Sequence, residues 1–107
     1  MLNRKTATTI IKHFIIACGK NNIIFNKVIL FGSIVTGKNH EYSDIDIAIV
    51  SDQFTENSVA DWNLLSPVII SNRNFSAIET HTFPTNYFEK SDPLIEEIKR
   101  TGIEIKL

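Results

Sequence analysis

Between residues 3 and 21 the apolar positions recur at helical spacing: Ile10, Ile11, Phe14, Ile15 and Cys18 form one stripe, and Gly19 with Asn21-Asn22 supplies a stop. The pattern predicts a first helix. From Ile23 to Phe31 the period changes, and β-branched and aromatic residues predict a first strand. Its inner part, Val28-Ile29-Leu30-Phe31, is apolar on both faces, as a central strand covered on both sides would be. Residues 33–38 read as a short helical turn closed by Gly37, and Asn39 to Ser43 as a polar loop. Asp44 to Val50 alternate, with Ile45, Ile47 and Ile49 on one face and Asp44, Asp46 and Ala48 on the other, which predicts a second strand.

Residues 57–66 have helical periodicity, with Asn57 or Ser58 as cap and Val59, Trp62 and Leu64 or Leu65 as the buried face. Trp62 is read as core in preference to a base-stacking platform. Pro67 leaves open whether Val68-Ile69-Ile70 continue that helix. Phe75 to Phe83 is a third strand ended by Pro84, and Asn86 to Lys90 is at most one helical turn. Asp92-Pro93 is a strong helix start; that helix runs to Arg100, buries Leu94, Ile95 and Ile98, and stops at Gly102. Ile103 to Leu107 alternate as a strand whose charged face suits a sheet edge.

The expected fold is therefore α/β (α+β) in two layers, a small mixed sheet of three or four strands flanked by helices in the order α-β-α-β-α-β-α-β. Residues 1–107 make one domain. The link between the first two strands is short for a crossover helix, so they are expected to be antiparallel neighbours. That pairing sets Gly32 and Ser33 beside Asp44 and Asp46.

A net charge of -1 argues against a partner such as a long nucleic acid, which asks for a basic stripe. No apolar run approaches the ~20 residues that span a bilayer. Lys12 and His13 interrupt the first apolar stretch too early for a signal peptide. The single cysteine, Cys18, lies in the first helical stripe and is read as buried and inert. A cytoplasmic location is expected.

Asp44 and Asp46 sit two positions apart on one strand, with Cα atoms about 6–7 Å apart on a shared face. They can converge on one divalent ion or straddle two, as in two-metal phosphoryl-transfer sites. Mg²⁺ is the expected ion, because hard oxygen ligands without an accompanying Cys or ligand His do not favour zinc. Gly32 lets backbone approach a phosphate, and the Ser33 hydroxyl can donate to a phosphate oxygen. Glu79, mid-strand between Ile78 and Thr80, is the candidate third carboxylate, with a solvent-facing or lysine-paired residue as the alternative. It would ligate the metal at the attacking hydroxyl and help take its proton. His81 shares its face and is either a contact to nucleotide or acceptor or an ordinary hydrogen-bonded histidine; His13 is read as a surface residue.

Leu30-Phe31-Gly32-Ser33, ten residues, then Asp44-Ile45-Asp46 resembles the signature of the DNA polymerase β-like nucleotidyltransferase superfamily, in particular its minimal, single-domain branch. The resemblance implies transfer of a nucleoside monophosphate from a triphosphate, with ATP the expected donor, to a hydroxyl, releasing pyrophosphate. It implies that Asp44 and Asp46 are metal ligands, that Gly32 and Ser33 bind the triphosphate, and that a later acid, here Glu79, completes the site. Minimal members are frequently paired with a small helical partner in toxin–antitoxin modules, so a HEPN-like toxin or a homodimer is an expected partner, and the acceptor is a small molecule or a protein hydroxyl. Many members carry arginine just after Gly-Ser and two residues later; Ile34 and Thr36 stand there in this chain. The rival reading is an antitoxin-like binding module with little catalysis.

Overall fold

The computed structural model describes residues 3–38, 44–90 and 92–107. The expected polar loop Asn39 to Ser43 lies outside them. Helix α1 (Arg4–Lys20) starts at Asn3, whose side chain accepts from the Thr6 amide at 2.9 Å, and buries Ala7, Ile11, Phe14 and Cys18. Strand β1 (Lys27–Phe31) leads into the one-turn helix α2 (Ser33–Thr36), and β2 (Ile45–Ser51) follows. Helix α3 (Ser58–Ile69), a 3₁₀ turn (Arg73–Ala77), β3 (Ile78–Pro84), the one-turn α4 (Thr85–Phe88), α5 (Pro93–Thr101) and β4 (Ile103–Ile105) complete the chain.

The four strands form one mixed sheet in the order β3-β2-β1-β4. β1 pairs antiparallel with both β2 and β4, while β2 pairs parallel with β3 through the α3 crossover. The β1–β2 pairing and the edge position of β4 are as the sequence predicts. One face of the sheet, with Val28, Leu30, Ile45, Ile47 and Ile49, packs on α1, α3 and Phe75. The other, with Ile29, Ala48, Val50 and Phe83, packs on Phe88 of α4 and Ile95 and Ile98 of α5. Both faces of β1 are thus covered, which is why Val28 to Phe31 read as a continuous apolar run.

Three local expectations are corrected. β1 begins at Lys27, not Ile23, because Asn22 takes a left-handed φ of 63° and the Ile24 amide is satisfied by the Gln53 side chain at 2.7 Å. At Pro67, where the sequence left the continuation open, helix α3 runs on to Ile69 and buries Val68 and Ile69. Its inward stripe is Asp61, Leu65, Val68 and Ile69, whereas Val59 and Trp62 are 66% and 50% exposed. A polar residue holds the core position: the Asp61 carboxylate accepts from the Thr55 amide at 2.9 Å and from the Thr82 hydroxyl at 3.0 Å. Helix α5 likewise buries Ile95 and Ile98 but leaves Leu94 exposed.

Candidate active site

The acidic residues meet where β1 ends and β2 and β3 begin. Phe31 pairs with Asp46 across β1–β2, and Asp46 pairs with Glu79 across β2–β3, so the three occupy one row of the sheet. Side chains in one row point to the same face. One row further along, Ile29 pairs with Ala48 and Ala48 with His81, again on that face. Ala48 is small, and the room it leaves lets the His81 ring lean back over the row of Asp46. There its Nε2 lies 3.3 Å from Asp46 Oδ1. The ring also packs edge-on against Phe31, with centroids 5.0 Å apart and planes at 63°.

Asp46, Glu79 and His81 each present a ligand atom within 4.8 Å of the others. Asp46 and His81 are half-buried, and Glu79 is exposed at the β3 edge. The Glu79 carboxyl is pushed above its ordinary value, first by a hydrogen bond with Asp46, then by loss of hydration and by the negative charge of Asp46; His81 opposes this and Asp44 adds to it. Two carboxylates and a ring nitrogen this close together form a site whose like-charge repulsion a divalent cation relieves, so these donors fit a metal. Asp44 lies outside the group, exposed, just before β2. The ligand set also departs from expectation. A ring nitrogen stands among the candidate donors, because the parallel β2–β3 register carries His81 to the diagonal neighbour of Asp46.

The Gly-Ser turn abuts this cluster. Gly32 has φ 81° and ψ -155°, a conformation essentially restricted to glycine, and a Cβ there would collide with the Asp46 carboxylate. Its carbonyl accepts from the amides of Val35 and Thr36, which starts α2 at Ser33, and Gly37, at φ 80°, ends it. The guanidinium of Arg4 on α1 donates to the Val35 carbonyl and ties the turn down from behind. Ile34, at the first of the two positions where an arginine was expected, is buried in the main core, and Thr36 is exposed. Cys18 is buried, with its thiol pushed up to about 12 by burial, which agrees with an inert role. Among the described residues no helix is long and apolar enough to cross a membrane.

A cavity of about 310 Å³ lies at the far end of β3, walled by Thr55, Asp61, Thr82, Phe83 and Tyr87. None of Asp46, Glu79 and His81 lines it.

Residues 16–106 match the family model described as the nucleotidyltransferase domain. Among curated proteins no match is found. Two solved structures share the fold. One is a mutant of the toxin–antitoxin MntA–HpeT, 20% identical, with 89% of this chain and 71% of that chain covered and a TM-score of 0.58. The other is a toxin–antitoxin with AMP-PNP, 22% identical, with 89% of this chain and 72% of that chain covered and a TM-score of 0.57.

Proposed function

The chain belongs to the nucleotidyltransferase domain family, and from that premise we propose that it transfers a nucleoside monophosphate, AMP from ATP, to a hydroxyl and releases pyrophosphate. The acceptor is a hydroxyl of a small molecule or of a partner protein. The observation that carries this reading is the single row formed by Asp46 and Glu79, directly beside the Gly32 turn.

Gly32 has no Cβ between its backbone and Asp46, so a triphosphate can approach the main chain there. Ser33, at the start of α2, donates its hydroxyl to a phosphate oxygen. Asp46 and Glu79, with Asp44 at the entry to β2, would hold Mg²⁺, which neutralises phosphate charge and polarises the reacting phosphoryl group. Glu79, the most exposed of the cluster, stands where an acceptor hydroxyl would arrive and takes its proton.

In this reading a second copy or a partner protein supplies the wall on the acceptor side. Both solved relatives are toxin–antitoxin structures, which supports a partner protein, a small helical toxin in this reading. Exposed Val59 and Trp62 on one side of α3 supply apolar surface for such contact.

A second reading, a binding module with weak catalysis, is supported by Ile34 and Thr36. The first is turned into the core and the second is uncharged, so neither neutralises a triphosphate. One experiment separates the two. The protein is incubated with ATP, Mg²⁺ and the product of the adjacent gene, and pyrophosphate release and label transfer from the α-phosphate are followed. Transfer that disappears in Asp46→Asn supports the enzyme. No ATP binding at millimolar concentration and no change in Asp46→Asn would falsify it.

A further inference from the structure

Histidine is an unexpected member of a site otherwise made of carboxylates, and its placement is specific. Its Nε2 faces Asp46 at 3.3 Å, and its ring is steadied by the edge-on contact with Phe31. The small Ala48 beside it in the row is fully buried and leaves the ring its room. Donors around one six-coordinate ion with bonds of about 2.1 Å lie about 3 Å apart when adjacent and about 4.2 Å apart when opposite. The three donor atoms here lie within 4.8 Å of one another, close to the separations that one ion requires. No lysine or arginine among the described residues pairs with Asp46 or Glu79.

We propose that His81 ligates the same divalent cation as Asp46 and Glu79, and that this nitrogen donor makes the site prefer Mn²⁺ to Mg²⁺. The argument rests on the nucleotidyltransferase reading for the presence of a metal, and on this chain's geometry for its kind. Mg²⁺ dehydrates reluctantly and prefers an all-oxygen octahedron, usually keeping several waters. Two carboxylates and one imidazole make a mixed set that a first-row transition ion accepts more readily. Of those ions Mn²⁺ also keeps the octahedral oxygen chemistry that a triphosphate requires. A site of three protein donors further holds the ion before nucleotide arrives, whereas a pair of carboxylates relies on the nucleotide's own phosphates.

The test uses the full chain without nucleotide and the metals alone. Mn²⁺ is titrated by loss of the free-ion electron paramagnetic resonance signal, Mg²⁺ is measured by competition, and pulsed spectra are searched for nitrogen coupling to bound Mn²⁺. The expected result is Mn²⁺ binding at least tenfold tighter than Mg²⁺, with a nitrogen signal. In His81→Ala the signal disappears and the Mn²⁺ affinity falls at least tenfold, while Mg²⁺ affinity changes less than threefold. His81→Asn, which keeps a polar group of similar size, behaves the same way and guards against a folding defect. Equal affinities for the two ions, no nitrogen coupling, or Mn²⁺ binding retained in Glu79→Gln each overturn the proposal. Pyrophosphate release in the presence of ATP is recorded in parallel. Nitrogen-ligated Mn²⁺ with no ATP binding at millimolar concentration upholds the His81 assignment and removes the transferase reading; turnover without nitrogen coupling overturns His81 and keeps the transferase.

Discussion

Asp46 and Glu79 are register partners on parallel neighbouring strands, so two carboxylates project from one row of the sheet, and the Glu79 carboxyl is pushed above its ordinary value, first by a hydrogen bond with Asp46. Such a pair is a cost to the metal-free protein, and the cost is removed by a cation or by neutralising one member. Asp46→Asn and Glu79→Gln are therefore expected to be at least as stable as the parent when measured with a chelator present. The parent gains stability when metal is added, by about 2.7 kcal/mol once the ion reaches ~100 times its Kd. Both variants lose that gain. Thermal melts with and without millimolar Mg²⁺ or Mn²⁺ check this; a parent whose Tm does not respond to either ion would show that the pair holds no metal.

Gly32 is constrained twice, by its backbone angles and by the carboxylate facing it. Gly32→Ala places a methyl group against Asp46 in a conformation that costs about 1–3 kcal/mol for any other residue. The expected outcome is a loss of that size in denaturant unfolding together with loss of ATP binding. Gly37→Ala supplies the comparison: it also sits at positive φ, but a Cβ there meets nothing within 4 Å. It is expected to cost about 1 kcal/mol and to leave ATP binding in place.

The strands and their first pairing were legible for a physical reason. β1 and β2 are joined by a link too short for a crossover helix, which leaves antiparallel neighbours, and β1 is apolar on both faces, which places it inside the sheet. Asp44, Asp46 and Glu79 could be placed on faces by alternation alone. The diagonal contact of His81 with Asp46 could not, because it depends on the parallel β2–β3 register. That register is set by how α3 packs, and the packing of α3 was itself misread. Its most hydrophobic surface residues, Val59 and Trp62, face outward, while Asp61 takes an inward position that no hydrophobic pattern reveals. Its partners give no periodic signal: Thr55 lies six residues before Asp61 and Thr82 twenty-one after it, and they meet its carboxylate only when folded.

Trp62 offers a direct check on that face, since it is the chain's single tryptophan. Half-exposed on α3, it is expected to emit at long wavelength and to be quenched readily by acrylamide. Trp62→Ala is expected to change stability by no more than about 0.5 kcal/mol. If a partner covers α3, its binding shifts the emission to the blue and protects the ring, and Trp62→Ala weakens the complex without altering ATP binding. A Trp62→Ala loss of several kcal/mol would instead place the ring in the core.

Cys18 gives an independent measure of the main core. Its thiol is buried among the α1 stripe and pushed up to about 12, so thiolate is scarce at neutral pH and reagents reach it only when α1 detaches. Labelling by a thiol reagent is therefore expected to be slow in native buffer and to accelerate with denaturant along the unfolding transition. Rapid labelling in native buffer would show that α1 opens without global unfolding.

Asp61 is the strongest test of how the crossover is held. One carboxylate oxygen accepts from the Thr55 amide at 2.9 Å and its hydroxyl at 3.3 Å, and the other accepts from the Thr82 hydroxyl at 3.0 Å. The side chain thus joins the loop before α3 to strand β3, and it is 4% exposed. Asp61→Ala removes the acceptor of the Thr55 amide and of the Thr55 and Thr82 hydroxyls; hydrogen bonds to a charged group are worth about 1.5–3 kcal/mol each, and water replaces part of that, since Thr55 is exposed and Thr82 half-buried. A loss of about 2–4 kcal/mol in denaturant unfolding is expected. Asp61→Asn keeps one carbonyl oxygen for Thr55 and offers an amide to the Thr82 hydroxyl, so it should lose less than half as much. The two variants also bear on the active site, because β3 carries Glu79 and His81 only three residues and one residue before Thr82. If the Asp61–Thr82 bond fixes the β3 edge, Asp61→Asn weakens metal binding at Asp46 and Glu79 even at temperatures where the fold is intact. Metal affinity unchanged in a folded Asp61→Asn protein would confine its role to stability.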